Sequence, residues 1–500
     1  MTRSLHDFDV AVIGGGFAGS LTALLLRQIG ERVLLVDRGH HPRFTIGESS
    51  TPSSNLLLRS LGKRYNLPEL ISLSRYGSWK RDFPQLGVGL KRGFSYFGHT
   101  VNEPFRTSAD HDRELLVAAS THDDVSDTQW LRADFDAWVA DRAIRAGAEY
   151  LPESRVVAAT RTATGWQLDF SSTNSGEAPR ERTVTAPFVI EASGLALEFA
   201  RHLGVTTSSE GFVTNSRAVF AHFADLTRWE ECLADLGIPQ SDYPFRADDA
   251  ALHHLFDRGW MWQLRFDSDI TSAGFAINQH TAPPPLATPA DEWNHWLSRL
   301  PSVRDQFARS RIVAPESGLV LMGRLQRRAS QLSGPGWVGL PNTAGFIDPL
   351  FSAGNAHVLA GVERVVRRLA DGRDRSAPDL FDAHARSTFA ELAWIDALVG
   401  GCYAHLSDFA TASAMSAWYF AAAVGYERHR LALGDDELPG AFLLAEDALL
   451  RTAHATCRQR VGDATGSKAV AVIRELLAPY DRAGVLDPAS RHMIHRSAVE

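Results

Sequence analysis

From Asp9 to Asp37 the chain reads DVAVIGGGFAGSLTALLLRQIGERVLLVD, a series of apolar runs broken by small and polar residues. The continuous run Val10 to Ile13 predicts a buried strand, the apolar pattern from Ser20 to Ile29 a helix, and Arg32 to Val36 a second strand ending in an acid, Asp37. A helical pattern resumes at Ser53 and runs through Leu56, Leu57 and Leu61. Between Pro84 and His99 apolar positions alternate and are punctuated by Gly87, Gly89 and Gly93, which predicts a strand whose backbone approaches a neighbour closely. The segment Gln129 to Asp136 opens a helix continuing through Trp138 and Ile144. Arg155 to Thr185 predicts two or three strands around the polar turn SSTNSGEAPRER, and Pro187 to Gly194 a buried strand ending in a small-residue turn.

Beyond about residue 212 the character changes to strands (Val213 to His222, Gly259 to Phe266, Gly274 to Asn278) separated by polar loops, and Ala356 to Leu369 is again helix-compatible. After about residue 375, Phe381, Phe389, Leu392, Trp394, Leu398, Phe409, Trp418 and Phe420 recur at helical spacing, with a break at Asp435 to Pro439. The last twenty residues read as a helix and a frayed end. This predicts an α/β chain in three parts: a nucleotide-binding part over 1–211 rejoined by about 331–374, a sheet-based substrate part over 212–330, and a helical region over 375–500.

Composition narrows the function classes. Five hundred residues at 44% hydrophobic content can bury a large core. A net charge of −8 argues against nucleic-acid binding, which would need a basic stripe. Cys232, Cys402 and Cys457 are far apart and in no metal-ligand spacing, so neither a disulfide framework nor a metal site is expected, and a reducing, cytoplasmic setting fits. No run of about 18 apolar residues occurs, so no membrane span is expected.

The chemistry starts at Gly14-Gly15-Gly16-Phe17-Ala18-Gly19, a G-x-G-x-x-G between strand and helix. Gly14 permits the tight turn, Gly16 lets backbone approach a pyrophosphate, Gly19 lets the helix pack on the strand, and Asp37 stands where a carboxylate bonds a ribose hydroxyl. A Gly-rich turn in an ordinary α/β protein is the alternative. The polar stretch from Arg38 to Pro52 reads equally as a loop covering the nucleotide and as a surface connection. Lys91 reads most simply as an exposed strand lysine, and Arg132 as an ion-pair partner of Asp134 or Asp136. Trp260 and Trp262 share one face of a strand, as core packing does. Asp348-Pro349 and then Gly354 before a helix make a turn whose amides can bind an anion or a flavin carbonyl.

In combination these segments resemble the FAD-dependent halogenases, relatives in fold of the flavin aromatic hydroxylases. HPRFTIGESSTP is similar to the family's flavin-contacting strap, KRGFSY at Lys91 to the Lys-x-Gly-Phe-Ser-Phe segment of free-phenol (phloroglucinol-type) halogenases, and GFIDPLFSAG to the family's FAD motif. Gly259-Trp260-Met261-Trp262-Gln263-Leu264-Arg265 falls where the family carries Trp-x-Trp-x-Ile-Pro, with Leu264 and Arg265 as departures, and Asn355 and His357 are polar where blander residues are expected. The resemblance implies a GR2/PHBH-like FAD-binding α/β fold with a sheet-based substrate domain and a helical C-terminal region.

It also implies the chemistry. Lys91 becomes the catalytic lysine that receives hypohalous acid and directs or carries its halogen, by hydrogen bonding or as a haloamine, with Lys80 as a lower-ranked competitor. Gly14, Gly16, Phe17, Ala18, Gly19, Asp37, Ile46, Gly47, Arg132, Asp348, Gly354 and Asn355 become FAD contacts. The amides around Ser352, Ala353 and Gly354 lie near the halide, and Trp260 and Trp262 shield the flavin from the substrate. The cofactor is FAD as FADH2, the co-reactants are O2 and chloride or bromide, and the substrate is a small electron-rich aromatic, free or carrier-bound, as in antibiotic biosynthesis. With no second nucleotide motif, a separate NAD(P)H-dependent flavin reductase supplies FADH2. A flavin monooxygenase or oxidase on the same scaffold, or a non-catalytic FAD-binding partner, are the alternatives.

Overall fold

The computed structural model describes residues 6–172, 181–372, 374–497 and 499. Strands Val10–Ile13 and Val33–Val36 are fully buried, as continuous apolar runs require when both faces of a sheet are covered. Val10–Ile13 pairs in parallel with Val33–Val36 on one side and with Phe188–Glu191 on the other. The six-stranded sheet ends at Glu149–Leu151 on one edge and at Trp337–Gly339 and Ser333–Gly334 on the other. The chain thus leaves this sheet after residue 191 and returns to it near residue 333. Helix Phe17–Gln28 packs against the helices Arg132–Arg145 and Gly354–Ala370.

Strands Ser154–Arg161, Trp166–Ser172 and Glu181–Ala186 form a three-stranded antiparallel sheet. Most of the polar turn SSTNSGEAPRER lies outside the described residues.

The sheet expected over 212–330 is larger than its own segment. It has nine strands, and beside Ala251–Phe256 it takes in Gly93–Gly98, then Glu114–Ala118, then Met493–Ile494. The expected frayed end is therefore corrected: Met493 and Ile494 are buried and pair in parallel with Glu114–Ala118. Pairing satisfies the edge hydrogen bonds that Glu114–Ala118 would otherwise expose.

The single strand expected between Pro84 and His99 is also corrected. Val88–Lys91 pairs with Asp127–Trp130 in a two-stranded ribbon, and after Arg92 the chain changes partner as Gly93–Gly98 joins the large sheet. The neighbour that Gly89 approaches is the carbonyl of Arg265, which would lie 1.9 Å from a methyl group at that position.

The large sheet divides the interior. Trp260, Trp262 and Leu264 face the cluster shared with the glycine-turn helix and the C-terminal helices, while Met261, one residue out of phase, faces a second cluster with Trp229, Trp293 and Trp296. The C-terminal region folds as helices Asp382–Tyr403, Phe409–Leu433, Ala448–Val461 and Gly466–Leu477, with the Asp435 to Pro439 break after the second. No helix of the described residues is long and apolar enough to cross a membrane.

Candidate functional site

The glycine turn is built on close contacts that only hydrogen side chains allow. Gly14 has φ +116, and a methyl group there would sit 2.6 Å from the Ala192 backbone. A methyl at Gly19 would lie 1.8 Å from the Gly14 carbonyl oxygen, so this glycine sets how closely the helix meets the turn. At Gly16 the nearest atom would be Asp136 Oδ2, 3.8 Å away, which leaves the mouth of the helix open on that side. The amides of the helix's first turn have no partners within the helix, and Gly16 adds no bulk before them.

Two residues of this segment also make contacts within the protein. Asp37 spends its carboxylate inside the protein, accepting from Gly15 N at 2.9 Å, from Gly39 N at 2.9 Å and from Arg43 Nη2 at 2.7 Å. These bonds organise the turn. The Phe17 ring packs edge-on against Trp130 at 5.7 Å and tilts on Phe135, so only its backbone is available at the helix mouth. Ala18 is buried beside it.

The strap after the second strand is clamped from several sides. Arg132 Nη1 donates to the carbonyls of Ile46 at 3.1 Å and Gly47 at 3.0 Å, while its Nε and Nη2 donate to Asp136 at 2.7 and 2.9 Å. The ion-pair reading of Arg132 thus holds with Asp136, and the same guanidinium also holds the strap. Asn355 Nδ2 donates to the carbonyls of Gly47 and Ser49, both at 3.1 Å. Glu48, which the sequence did not single out, meets His222 Nε2 at 3.0 Å, and the Ser50 amide donates to Thr128 O at 2.9 Å. His41 reaches back to the Gly15 carbonyl at 2.7 Å.

The far end of the strap reaches Lys91. This side chain is fully buried, donates to the Ser50 carbonyl, and holds its Nζ 4.2 Å from the centre of the Phe94 ring. Asp127 stands opposite Lys91 in the ribbon and accepts from Asn55 Nδ2 at 2.6 Å. Burial pushes the lysine down to about 8 although the Asp127 charge pulls it up, and burial pushes Asp127 up to about 6 against the pull of Lys91. Phe94 continues into an aromatic wall of Tyr96, His253, Tyr419 and Phe420, and Phe351 stacks on Tyr419 at 4.5 Å. The buried Tyr96 hydroxyl finds no hydrogen-bond partner among the described residues. Lys80, in contrast, is about half exposed and pairs with Asp267 at 2.5 Å.

The Asp348 turn ties three parts of the chain together. Asp348 Oδ2 accepts from Ser216 Oγ at 2.7 Å and from the Tyr403 hydroxyl at 2.8 Å, and Oδ1 from the Leu350 amide at 3.1 Å. Burial pushes its carboxyl up to about 6, with these donors opposing. Trp260 Nε1 donates to the Tyr403 hydroxyl at 2.9 Å, so the tryptophan is fixed to the turn through a C-terminal helix. Trp262 packs across Gly274, where a methyl would lie 2.3 Å from its ring. Ser352 adopts φ +53, Ala353 follows, and Gly354 opens the helix Gly354–Ala370 with nothing within 4 Å of a methyl at its position. Arg265 points away from this face and donates to the Leu226 carbonyl at 2.9 Å. His357 turns instead to Glu391, at 3.0 Å.

Residues 9–258 match the family described as FAD dependent oxidoreductase. This chain belongs to that family. Among FAD-dependent oxidoreductases its relatives are flavin-dependent halogenases, and it is one of them. It is 28% identical over 422 residues to the monodechloroaminopyrrolnitrin halogenase of Pseudomonas fluorescens, covering 81% of this chain and 70% of the relative. It is 26% identical over 464 residues to the tetracycline 7-halogenase of Kitasatospora aureofaciens, covering 87% and 80%. The solved halogenase PltM in complex with phloroglucinol and FAD superposes with a TM-score of 0.84 at 26% identity, over 97% of this chain and 99% of that one.

The halogenase has the features an FAD needs: a helix mouth left open at Gly16, a second open helix start at Gly354, and a clamped strap crossing from the glycine turn to Lys91.

Proposed function

We propose that this halogenase installs chloride or bromide on a small electron-rich phenolic ring, with Lys91 directing the halogen. The observation that carries the reading is Lys91 itself: a fully buried lysine at the end of the strap, against an aromatic wall. Burying an ammonium is costly, so such a lysine calls for a function that repays its desolvation. The PltM halogenase solved with phloroglucinol supports the phenolic class.

FAD would be held by Gly14, Gly16, Gly19 and the amides of Phe17 and Ala18, by the strap at Ile46 and Gly47 with Arg132 and Asn355 behind it, and by the turn from Asp348 to Gly354. When bound and reduced, FAD supplies with O2 the oxidising equivalents that turn halide into hypohalous acid. The amides around Ser352, Ala353 and Gly354 offer the halide a site at a helix N-terminus. Trp260 and Trp262 form a wall fixed by Tyr403 and Gly274, keeping substrate and flavin apart. Lys91 then donates an N–H to the hypohalous oxygen and orients its halogen toward the ring. The halogen bonds to a ring carbon, the ring proton leaves, and the hypohalous oxygen departs as water.

FADH2 would come from a separate reductase. The test supplies reductase, FAD, NADH, oxygen and bromide or chloride with phenolic substrates, and reads product mass. Halogenated product is expected; hydroxylated product alone would assign the scaffold to a monooxygenase.

A further inference from the structure

We propose that Asp127 is the positioning residue of the Lys91 site, its carboxylate holding the lysine as an ammonium so that an N–H donor is kept beside the aromatic wall. This rests on Lys91 being the halogen-directing group. The two residues occupy registered positions on adjacent antiparallel strands, so their side chains leave the ribbon on the same face. Both are buried. One Asp127 oxygen is taken by Asn55 Nδ2 at 2.6 Å, and the other has no hydrogen-bond partner among the described residues. A carboxylate oxygen left unpaired in the interior is costly unless a cation's field compensates it, and Lys91 is the cation on the facing strand.

Other groups around the pair leave it in control of the local charge. Arg59, on helix Pro52–Arg64, adds a permanent positive charge near Asp127. From strand Ala251–Phe256, His253 is kept neutral because burial pushes it down to about 3. The Tyr96 and Tyr419 hydroxyls are pushed up by burial and stay protonated. Glu427, on the helix with Tyr419, accepts from Ser53 Oγ at 2.8 Å. Burial brings the Asp127 and Lys91 values toward neutrality from opposite sides, each against the pull of the other's charge.

The chain's sparse lysines make a direct test practical. They are Lys63, Lys80, Lys91 and Lys468, and of these Lys91 is the buried one. Full-length protein labelled with carbon-13 at lysine Cε is titrated by NMR. In the wild type the Lys91 signal is expected to titrate below the ordinary lysine value and to show a second, smaller inflection on its acid side, where Asp127 takes up its proton. In Asp127→Asn the small inflection vanishes and the main one moves down by about one pH unit or more, while Asp127→Glu restores most of it. The basic limb of the halogenation profile moves down in step, with flavin affinity unchanged. A wild-type Lys91 signal with no second inflection on its acid side, or the same Lys91 midpoint in Asp127→Asn, overturns the proposal. The wild-type titration needs no variant to fold. Full product yield from Lys91→Ala would instead overturn the functional reading, whatever the NMR shows.

Discussion

Glu48 and His222 meet at 3.0 Å in the interior, joining the strap to the strand Ser216–Ala224 of the nine-stranded sheet. Both side chains are buried. The contact links the strap to the nine-stranded sheet at the point where the strap turns toward Lys91. Phe44 reinforces it by packing edge-on against the His222 ring at 4.8 Å.

Asn355 is the clamp on the opposite side, so Asn355→Leu should loosen the strap without removing the flavin turn. Losing the amide takes this donor from the carbonyl of the buried Ser49, while the carbonyl of the exposed Gly47 keeps Arg132. A loss of about 1–3 kcal/mol in stability is expected. Flavin release measured by stopped-flow fluorescence should quicken several-fold. An unchanged release rate in a destabilised protein would confine Asn355 to packing.

The glycines separate binding from folding. Gly16→Val should fold, because a methyl at Gly16 comes no nearer than 3.8 Å to a protein atom, yet abolish FAD binding by filling the helix mouth. Gly19→Val should instead lose the fold of the turn, since its first carbon would overlap the Gly14 carbonyl oxygen at 1.8 Å. Thermal melting with flavin fluorescence titration reads both. A folded Gly16→Val that keeps wild-type affinity would remove Gly16 from the flavin site.

Lys91→Ala should keep FAD binding and oxygen consumption but lose halogenation, by about 100-fold or more. Lys91→Arg should retain part of the rate, because guanidinium stays protonated and keeps an N–H donor, whereas a dead Lys91→Arg would point to a neutral amine instead. Lys80→Ala, altering an exposed pair with Asp267, should behave as wild type. Halogenated product per reduced flavin is the measurement, and a dead Lys80→Ala would move the catalytic strand one segment upstream.

Glu391 should make folding stability depend on acid pH. Burial pushes its carboxyl up, but Arg364, at 2.8 Å, and His357, at 3.0 Å, overcome this and hold it at about 2. A carboxyl lowered on folding contributes stability fully above its ordinary value of 4.5 and loses it as pH falls toward 2. Glu391→Gln leaves Arg364 buried without its counter-charge, a cost of about 3–5 kcal/mol near neutral pH. Melting curves from pH 7 to 2.5 should show wild type and variant converging in acid; a constant gap would refute the assignment.

The fold class was legible because it rests on short-range regularities. Continuous apolar runs gave the buried parallel strands, and strand, glycine turn, helix and acid in order gave the nucleotide-binding core. Period-two alternation gave Trp260 and Trp262 on one face, and resemblance of short segments identified the halogenase family that the comparisons establish. Beyond that, local pattern misled where partners are distant. Arg92 looks like the middle of one strand but is the point where the chain changes sheets, because the partners Asp127–Trp130 and Glu114–Ala118 arrive from different parts of the chain. The closing residues look frayed because their apolar pair is too short to read as a strand, until Glu114–Ala118 offers an edge.

For the site, the sequence by itself determined which residues carry unusual chemistry: glycines that cannot bear a side chain, a lysine amid apolar neighbours, and a turn of Asp, Pro and Gly before a helix. Only the tertiary structure decided how each is used. It turned Asp37 inward to the glycine turn, made Asn355 and Arg132 clamps on the strap, brought in Glu48 and His222, and set Asp127 opposite Lys91. The physical reason is that a side chain's protonation and bonding depend on its desolvation and on groups far along the chain. Glu48 and His222 are separated by 174 residues, beyond the reach of any local pattern.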